Sequence, residues 1–312
     1  MTTESAAAPE TLTVAFIGLG NMGQPMTTHL LAAGHRVVGF DPVPEALDRA
    51  VAAGVEAAES LNATVAEADV VVTMLPNGAI VKDVYGEAGG GGLLAAARPG
   101  TLFIDCSTIA VADALEAGER AVAAGHRAAD APVSGGVGGA EKGTLTFMVG
   151  ARDEDWAQVS AFLEPMAGRV VACGRPGAGQ AAKICNNMLL GISMLGVAEA
   201  FVLGEQLGLS HEAFFDVASV SSGQCWSLTT NCPVPGPVPT SPANREYKPG
   251  FAAALMSKDL DLAQDAARAT SADTRLGELA ANAFRAFATE GGAGLDFSAI
   301  INEVRARSGD PA

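Results

Sequence analysis

Three glycines at a characteristic spacing stand near the start of the chain, in the segment Gly18-Leu19-Gly20-Asn21-Met22-Gly23. The segment follows an apolar run over residues 12–18 and precedes a helical pattern, which predicts a turn between a strand and a helix. In such a turn the first glycine permits a tight bend, the second lets phosphates approach the backbone, and the third lets the helix pack on the strand. The N–H groups of the helix N-terminus then face a pyrophosphate. We therefore predict a dinucleotide site formed by Gly18, Leu19, Gly20, Asn21, Met22 and Gly23.

An acidic residue, Asp41, follows the predicted strand 36–40 and comes eighteen residues after Gly23. A carboxylate at this spacing can accept hydrogen bonds from both ribose hydroxyls of an adenosine. It would repel the 2′-phosphate of NADP, and the nearest downstream cation is Arg49, so the sequence favours NAD. The competing interpretation is a glycine-rich structural turn beside a solvated aspartate, which requires strand, turn, helix and acid to be in register by chance.

Residues at the ends of two later predicted strands are candidates for the same site. Ligands of open α/β sheets bind beyond the carboxyl ends of the strands. Leu75 and Pro76 end an apolar run that starts at Val70, and Thr108 follows the run 101–105. We predict that Leu75 packs on the adenosine side, that Thr108 hydrogen-bonds near the nicotinamide, and that Pro76 is a further cofactor-binding residue. Ordinary packing within a loop is the alternative for each.

A lysine and an asparagine four residues apart could supply acid/base chemistry. Oxidation of an alcohol needs a base for the hydroxyl proton, and none of the four histidines has a convincing setting for that role. Lys183 and Asn187 project from one face of a predicted helix among mainly apolar neighbours. Burial and a second cation would lower the pKa of such a lysine from about 10.4. The alternative, which the spacing leaves open, is a lysine whose charged end reaches solvent at a domain junction.

Two further segments could complete a site for a hydroxy acid. The second cation could be Lys258, which lies on another largely apolar segment, 251–260, although a surface pair with Asp261 is equally compatible with the spacing. Ser134-Gly135-Gly136 offers a hydroxyl and exposed backbone N–H groups that could bind a carboxylate. A simple transition from strand to loop is the alternative there.

The elements that must position these residues fall into two regions. From Thr11 to about Gly174, short runs rich in Val, Ile and Phe alternate with Ala-rich helical stretches, the pattern of βαβ units in a doubly wound parallel sheet. The predicted strands are 12–18, 36–41, 70–75 and 101–105. We expect the runs 144–149 and 169–173 to form further strands of the same sheet, which could run antiparallel to the others.

The pattern changes after Gly174, where turn residues precede one long predicted helix over 180–207. Further helices are predicted near 211–219, 252–270, 273–290 and 297–307, with no convincing strand. We predict an α/β chain: a Rossmann-type NAD-binding domain over 11–175, followed by an all-α domain for substrate and oligomerisation over 176–312. Between the helices, residues 232–249 contain six prolines and form either a surface loop or a wall over the active site.

Composition excludes several classes of function. A formal net charge of −16 disfavours nucleic acid and anionic membrane surfaces as partners. The apolar stretches are interrupted before the length of a membrane-spanning helix, so none is predicted. Residues 1–11 lack the cationic start and apolar core of a signal peptide and are expected to fray, which favours a cytoplasmic protein.

The five cysteines and four histidines lack the close spacing of a metal or redox motif. We assign no metal and expect reduced, mostly buried thiols. The run 89–92 has no Lys-Ser/Thr after it, so a flexible loop is predicted there rather than a phosphate-binding loop.

Four blocks together resemble the β-hydroxyacid dehydrogenase family, over residues 12–305. The first is the glycine turn, which many dehydrogenases share. The second begins Asp130-Ala131-Pro132-Val133-Ser134-Gly135-Gly136-Val137 and continues through 143–150, and the third is 179–188; these two together are specific to the family. The fourth is Lys258-Asp259-Leu260. Residues 221–227 and 231–239 resemble its 3-hydroxyisobutyrate dehydrogenase branch, and the departures at Gln24 and 89–92 lie outside the chemistry.

The resemblance implies a role for each candidate. Lys183 would be the general acid/base, Asn187 would help to hold the substrate, Ser134, Gly135 and Gly136 would bind its carboxylate, and Lys258 would lie near the nicotinamide. Trp226, Phe251 and Asp259 are further substrate-binding candidates. Homodimers or homotetramers are implied, with the long helix packed between subunits.

The implied activity is NAD-dependent oxidation of 3-hydroxyisobutyrate to methylmalonate semialdehyde, a step of valine breakdown. The alternatives are a tartronate-semialdehyde or glyoxylate-type reductase of the same family, and a dinucleotide sensor without catalysis. A sensor would need only the first domain.

Overall fold

The computed structural model describes residues 11–86 and 91–309. The predicted tail before Thr11 and the first half of the predicted loop 89–92 lie outside these residues. The chain forms two compact units, with the boundary after Ala182.

The first unit is built on a single sheet. Its strands are β1 (Thr13–Ile17), β2 (Arg36–Phe40), β3 (Glu56–Ala57), β4 (Val70–Thr73), β5 (Leu102–Asp105), β6 (Arg127–Asp130), β7 (Val133–Ser134), β8 (Leu145–Gly150) and β9 (Ala167–Gly174). The order is β3-β2-β1-β4-β5-β6-β8-β7, with β9 paired to β8. The first six strands in this order, β3, β2, β1, β4, β5 and β6, run parallel to one another. Strand β8 runs antiparallel to both β6 and β7 and parallel to β9.

Helices cover both faces of this sheet. They are α1 (Gly23–Ala32), α2 (Pro44–Ala52), α3 (Leu61–Val65), α4 (Gly78–Tyr85), α5 (Leu93–Ala96), α6 (Val111–Ala123), α7 (Gly136–Lys142) and α8 (Asp153–Leu163). Alternate residues of β1 enter two separate apolar cores: Val14 and Phe16 join one, Ala15 and Ile17 the other. A strand buried on both faces reads as a continuous apolar run, so the predicted doubly wound architecture is confirmed.

The second unit is helical, as predicted. The long helix α9 (Ala178–Gln206) contains the boundary between the units, and it is followed by α10 (His211–Ala218), α11 (Trp226–Thr229), α12 (Ala253–Thr270), α13 (Arg275–Phe287) and α14 (Ile300–Ser308). Within residues 183–309, β pairing is limited to one isolated bridge, between Ala252 and Asp296. Phe201, Phe284 and Phe297 are among the side chains that fill the core.

By length and composition alone, α9 could cross a membrane. The sequence predicts no such segment because glycine, asparagine and charged residues interrupt its apolar runs. The observation is weak evidence for a membrane span, because core helices of globular proteins pass the same test. Here Met194, Ala198 and Phe201 of α9 are buried in the helical core.

The proline-rich segment, residues 232–249, is only partly a surface loop. Cys232, Val234, Val238 and Ser241 are buried, and Pro242–Arg245 forms a 3₁₀ turn. The prolines restrict the backbone angle φ, and the segment forms a loop that is partly buried in the second unit.

Candidate functional site

The glycine turn has the geometry of a phosphate cradle. Gly18 has φ of +95°, and a Cβ on it would lie 2.3 Å from the carbonyl oxygen of Met74. A Cβ on Gly23 would lie 1.9 Å from the carbonyl oxygen of Gly18. Gly20, in contrast, is exposed and a Cβ there would meet nothing within 4 Å. The fold itself requires the first and third glycines, whereas the second leaves an open approach to the backbone, which fits a pyrophosphate.

Asp41 lies beside this turn, directly after β2. Its Oδ2 accepts a hydrogen bond from the Leu19 N–H at 2.7 Å and its Oδ1 accepts one from the Val43 N–H at 2.8 Å. The carboxylate therefore fixes the turn, a role that its spacing did not reveal. Each oxygen retains a second lone pair, so hydrogen bonds from ribose hydroxyls remain available to Asp41.

The loops after β4 and β5 are joined at the same edge of the sheet. The Leu75 N–H donates to Oγ of the buried Ser107 at 2.8 Å, and the Leu75 side chain lies against Gly18. Pro76 is exposed and Thr108 is half-buried. The structure thus brings Leu75 to the glycine turn, while the cofactor contacts of Pro76 and Thr108 stay predictions.

Ser134, Gly135 and Gly136 form the junction of β7 and α7. Gly135 and Gly136 have φ of +131° and +61°, backbone conformations that favour glycine. The first amides of α7 have no acceptor within the helix, and they follow the half-buried Ser134. These groups could bind a carboxylate, as the sequence predicted.

Asp130 and Gln180 are buried polar residues to which the sequence assigned no role. Asp130 accepts backbone hydrogen bonds from Gly177 at 2.6 Å and Gln180 at 2.8 Å, at the start of α9. The Gln180 side chain donates to the Ser107 carbonyl at 2.7 Å and accepts from the Ile109 N–H. Burial raises the pKa of Asp130 to about 6, although these N–H groups lower it. A local capping pattern could not reveal an acid that lies 47 residues away in sequence from the amide it binds.

A buried polar cluster in the second unit contains the predicted acid/base. Lys183 is 7% exposed, and Asn187 and Asp259 are each 2% exposed. Nδ2 of Asn187 donates to Oδ2 of Asp259 at 2.6 Å, and Nζ of Lys258 lies 3.8 Å from Oδ1 of Asp259. Lys183 is therefore not a solvent-reaching lysine. Lys258 thus pairs with Asp259, and the carboxylate of Asp261 binds Arg285.

Opposing effects set the protonation of this cluster. Burial lowers the pKa of Lys183, the charge of Asp259 raises it, and the charge of Lys258 lowers it. Burial raises the pKa of Asp259, while Lys183, Lys258 and the Asn187 hydrogen bond lower it. Since burial is the largest effect on the lysine, a neutral amine that can accept a proton is more accessible here than in water.

Oδ1 of Asp259 accepts no hydrogen bond from the described residues. A buried carboxylate oxygen in this state can receive a donor from a ligand or from water.

Two predicted substrate residues lie elsewhere in the second unit. Phe251 packs against Phe297, with ring centroids 5.7 Å apart, and Trp226 is 52% exposed at the start of α11. Within the described part of the chain, neither makes a hydrogen bond to Asn187 or Asp259. Their substrate contacts stay predictions.

Residues 11–86 and 91–309 contain no group of three or more His, Cys, Asp or Glu side chains that could hold a metal ion. The five cysteines are free. Only Cys106 and Cys232 are buried, and Cys185 is exposed, so the expectation of mostly buried thiols was wrong.

Comparisons with known proteins cover both units. The family model described as the NAD binding domain of 6-phosphogluconate dehydrogenase matches residues 13–174, and the one described as NAD-binding of NADP-dependent 3-hydroxyisobutyrate dehydrogenase matches 177–304. The chain is 55% identical over 296 residues to a probable 3-hydroxyisobutyrate dehydrogenase of Mycobacterium tuberculosis, covering 95% of this chain and 99% of the relative.

Two further comparisons name L-serine. An NAD-dependent L-serine dehydrogenase of Pseudomonas aeruginosa is 45% identical, covering 92% of this chain and 96% of the relative. The solved structure of the Mycobacterium tuberculosis 3-hydroxyisobutyrate dehydrogenase with L-serine superimposes with a TM-score of 0.90 at 54% identity, covering 95% of this chain and 100% of that one.

Proposed function

The chain belongs to the β-hydroxyacid dehydrogenase family, in its 3-hydroxyisobutyrate dehydrogenase branch, and we propose that it oxidises 3-hydroxyisobutyrate to methylmalonate semialdehyde with NAD. The first unit is a nicotinamide dinucleotide-binding domain. The observation that carries the proposal is the buried cluster of Lys183, Asn187 and Asp259, because it provides a base that a cofactor-binding scaffold would not need.

Lys183 acts as the base in this proposal. Bound NAD would supply the hydride acceptor for the hydrogen on the alcohol carbon. Nζ of Lys183, as the neutral amine, takes the proton of the substrate hydroxyl, so that the C–O single bond becomes a carbonyl. Burial favours the neutral amine before the reaction, and Asp259 stabilises the ammonium that forms.

Other residues hold the substrate. Asn187 is fixed by Asp259 on one side, and its Oδ1 accepts from Nδ2 of Asn186 at 2.9 Å. This defined orientation suits a residue that aligns a hydroxyl. Ser134 and the glycine amides that follow it would bind the carboxylate, and Lys258 would add positive charge near the nicotinamide.

The preference for NAD over NADP rests on Asp41. Its carboxylate lies within hydrogen-bond distance of the turn amide of Leu19, and its negative charge would repel a 2′-phosphate there.

A second candidate is oxidation of L-serine, which differs from 3-hydroxyisobutyrate by an ammonium in place of a methyl group. The L-serine dehydrogenase relative favours it. So does Oδ1 of Asp259, a buried acceptor that could receive a hydrogen bond from the ammonium of serine. A reductase of the tartronate-semialdehyde or glyoxylate type would use the same residues in the opposite direction.

We further propose a cytoplasmic enzyme of valine breakdown that assembles as a homodimer or homotetramer. The bacterial relatives support the location. Leu189 and Leu203 of α9 are 64% and 61% exposed, and Leu207, directly after the helix, is 76% exposed, which supports packing of this helix against another subunit.

A substrate panel tests the proposal. We expect kcat/KM to be highest for 3-hydroxyisobutyrate among 3-hydroxyisobutyrate, L-serine, glycerate and 3-hydroxypropionate, and higher with NAD than with NADP. A maximum for L-serine would move the assignment to the second candidate. NAD binding without turnover of any of the four acids would revive the sensor hypothesis.

A further inference from the structure

One buried carboxylate in the second unit joins three segments that are distant in sequence. Asp296 is 1% exposed. Its Oδ1 accepts hydrogen bonds from Nδ2 of Asn231 at 3.0 Å and from the N–H and hydroxyl of Ser298 at 3.1 and 2.7 Å. Its Oδ2 accepts from the N–H groups of Gly250 and Phe251 at 3.0 and 3.1 Å. Five donors therefore converge on a single side chain.

These contacts close the proline-rich segment at both ends. Asn231 immediately precedes residue 232 and Gly250 immediately follows residue 249, so one carboxylate fixes the entry and the exit of the segment. Within the segment, the Tyr247 hydroxyl donates to the Pro233 carbonyl at 2.8 Å. The two ends of the segment are thus held together by the hydrogen bonds of Asp296, which we call the Asp296 clamp. The Tyr247–Pro233 hydrogen bond is a separate contact inside the segment.

The Asp296 clamp lies directly before the N-terminus of α12. This helix has Ala252 at its N-cap and no side-chain cap. Its first amides are satisfied by another segment: the Ala253 N–H donates to the Leu295 carbonyl at 2.8 Å and the Ala254 N–H to the Ala293 carbonyl at 3.1 Å. Asp296 binds the N–H groups of the two residues before the N-cap Ala252, so it holds the chain directly before α12.

The second turn of α12 carries Lys258 and Asp259. Helix α12 also packs on α9 without slack, because a Cβ on Gly191 would lie 3.0 Å from the Leu260 side chain. A displacement at the start of α12 would therefore move Asp259 relative to Asn187, which it binds at 2.6 Å.

We propose that Asp296 is a positioning residue for the reaction, because it fixes the start of α12 and thereby holds Asp259 and Lys258 at Asn187 and Lys183. This inference rests on the proposed function. Asp296 lies outside both the sequence motifs and the buried cluster of Lys183, Asn187 and Asp259.

The substitution Asp296→Asn tests the proposal. An amide presents one acceptor and one donor, so it cannot serve donors on both of its sides. The matched control is Tyr247→Phe, which removes a hydrogen bond of the same loop and leaves the clamp intact. We expect Asp296→Asn to lower kcat on the order of a hundredfold, as small displacements of catalytic groups do, with the Kd for NAD within about twofold of wild type.

A readout independent of turnover separates this inference from the proposed function. The chain has five lysines, Lys82, Lys142, Lys183, Lys248 and Lys258, so lysine-selective ¹³C/¹⁵N labelling gives few side-chain signals. Asp296→Asn should shift the signals of Lys183 and Lys258 and leave those of Lys82 and Lys142 unchanged, whereas Tyr247→Phe should leave all four unchanged.

The outcomes are distinct. Shifted signals without turnover of any hydroxy acid by wild type would keep the positioning role and refute the proposed function. Unshifted Lys183 and Lys258 signals, or loss of kcat to the same extent in Tyr247→Phe, would overturn the positioning role. Should Asp296→Asn not fold, Ser298→Ala removes one of the five hydrogen bonds, and the same shifts at smaller amplitude are then required.

Discussion

Two glycines of the cofactor turn should respond to the same substitution in opposite ways. Gly20→Ala places a methyl group where nothing lies within 4 Å, and Gly23→Ala places one 1.9 Å from the Gly18 carbonyl oxygen. The two positions are three residues apart, but Gly20 is exposed before the helix and Gly23 is buried at the start of α1. Together the two substitutions show which glycine is needed for folding and which is needed for binding of the dinucleotide.

The geometry sets the expected magnitudes. The methyl on Gly23 also lies 2.9 Å from the Phe16 ring, so the backbone must shift by more than 1 Å, and overpacking of this kind costs roughly 1–3 kcal/mol of unfolding free energy or more. Gly20→Ala meets no atom and restricts the unfolded chain, so it should stabilise by about 0.4–1 kcal/mol. The same methyl would obstruct the pyrophosphate, so we expect NAD affinity to fall about tenfold or more, or roughly 1.4 kcal/mol.

Thermal unfolding and calorimetric titration with NAD measure both quantities. Gly23→Ala should lower Tm by about 2 to 4 °C per kcal/mol lost and weaken NAD binding, while Gly20→Ala should weaken NAD binding at an unchanged or higher Tm. Wild-type NAD affinity in Gly20→Ala would refute the placement of the pyrophosphate at this turn.

Three further predictions address the acid/base cluster, the start of α9 and assembly. Lys258→Met removes a charge that lowers the pKa of Lys183, so the rise of kcat/KM with pH should move to higher pH. Asp259→Asn removes a charge that raises this pKa, so the same rise should move to lower pH. Initial rates measured across pH test both, and a pH profile that neither substitution shifts would contradict a role of the cluster in proton transfer. Because burial raises the pKa of Asp130 to about 6, the unfolding free energy should fall by up to about 3 kcal/mol as pH rises from about 4 to above 6; urea titrations should lose this slope in Asp130→Asn, and an identical slope would contradict the assignment. Leu203→Asp on the exposed face of α9 should yield monomers in light scattering, and an unchanged mass would place the interface elsewhere.

Local sequence patterns predicted the parts of the molecule that are themselves local. The turn from Gly18 to Gly23 is specified by three glycines within six residues, and Lys183 and Asn187 share a helix face because they lie four residues apart. Apolar runs likewise predicted the central strands, because strands buried on both faces need such residues.

The remaining features depend on contacts between distant segments. Strand β6, Arg-Ala-Ala-Asp, carries no β-branched residue, and β7 is two residues long, so neither has a strand pattern. Asp130 binds an amide 47 residues away and Asp296 an amide 46 residues away, and no spacing rule connects such pairs. Asp261 likewise binds Arg285, 24 residues further along the chain, a partner that its spacing from Lys258 did not predict.

The central claim is that Lys183 accepts the hydroxyl proton, and a single-turnover measurement of Lys183→Met tests it most directly. Met preserves the apolar length of the side chain and removes the amine. With NAD and 3-hydroxyisobutyrate at saturation, NADH absorbance should form on the order of a thousandfold more slowly than in wild type, while the Kd for NAD changes by less than about twofold. NADH formation within about tenfold of the wild-type rate would contradict the account.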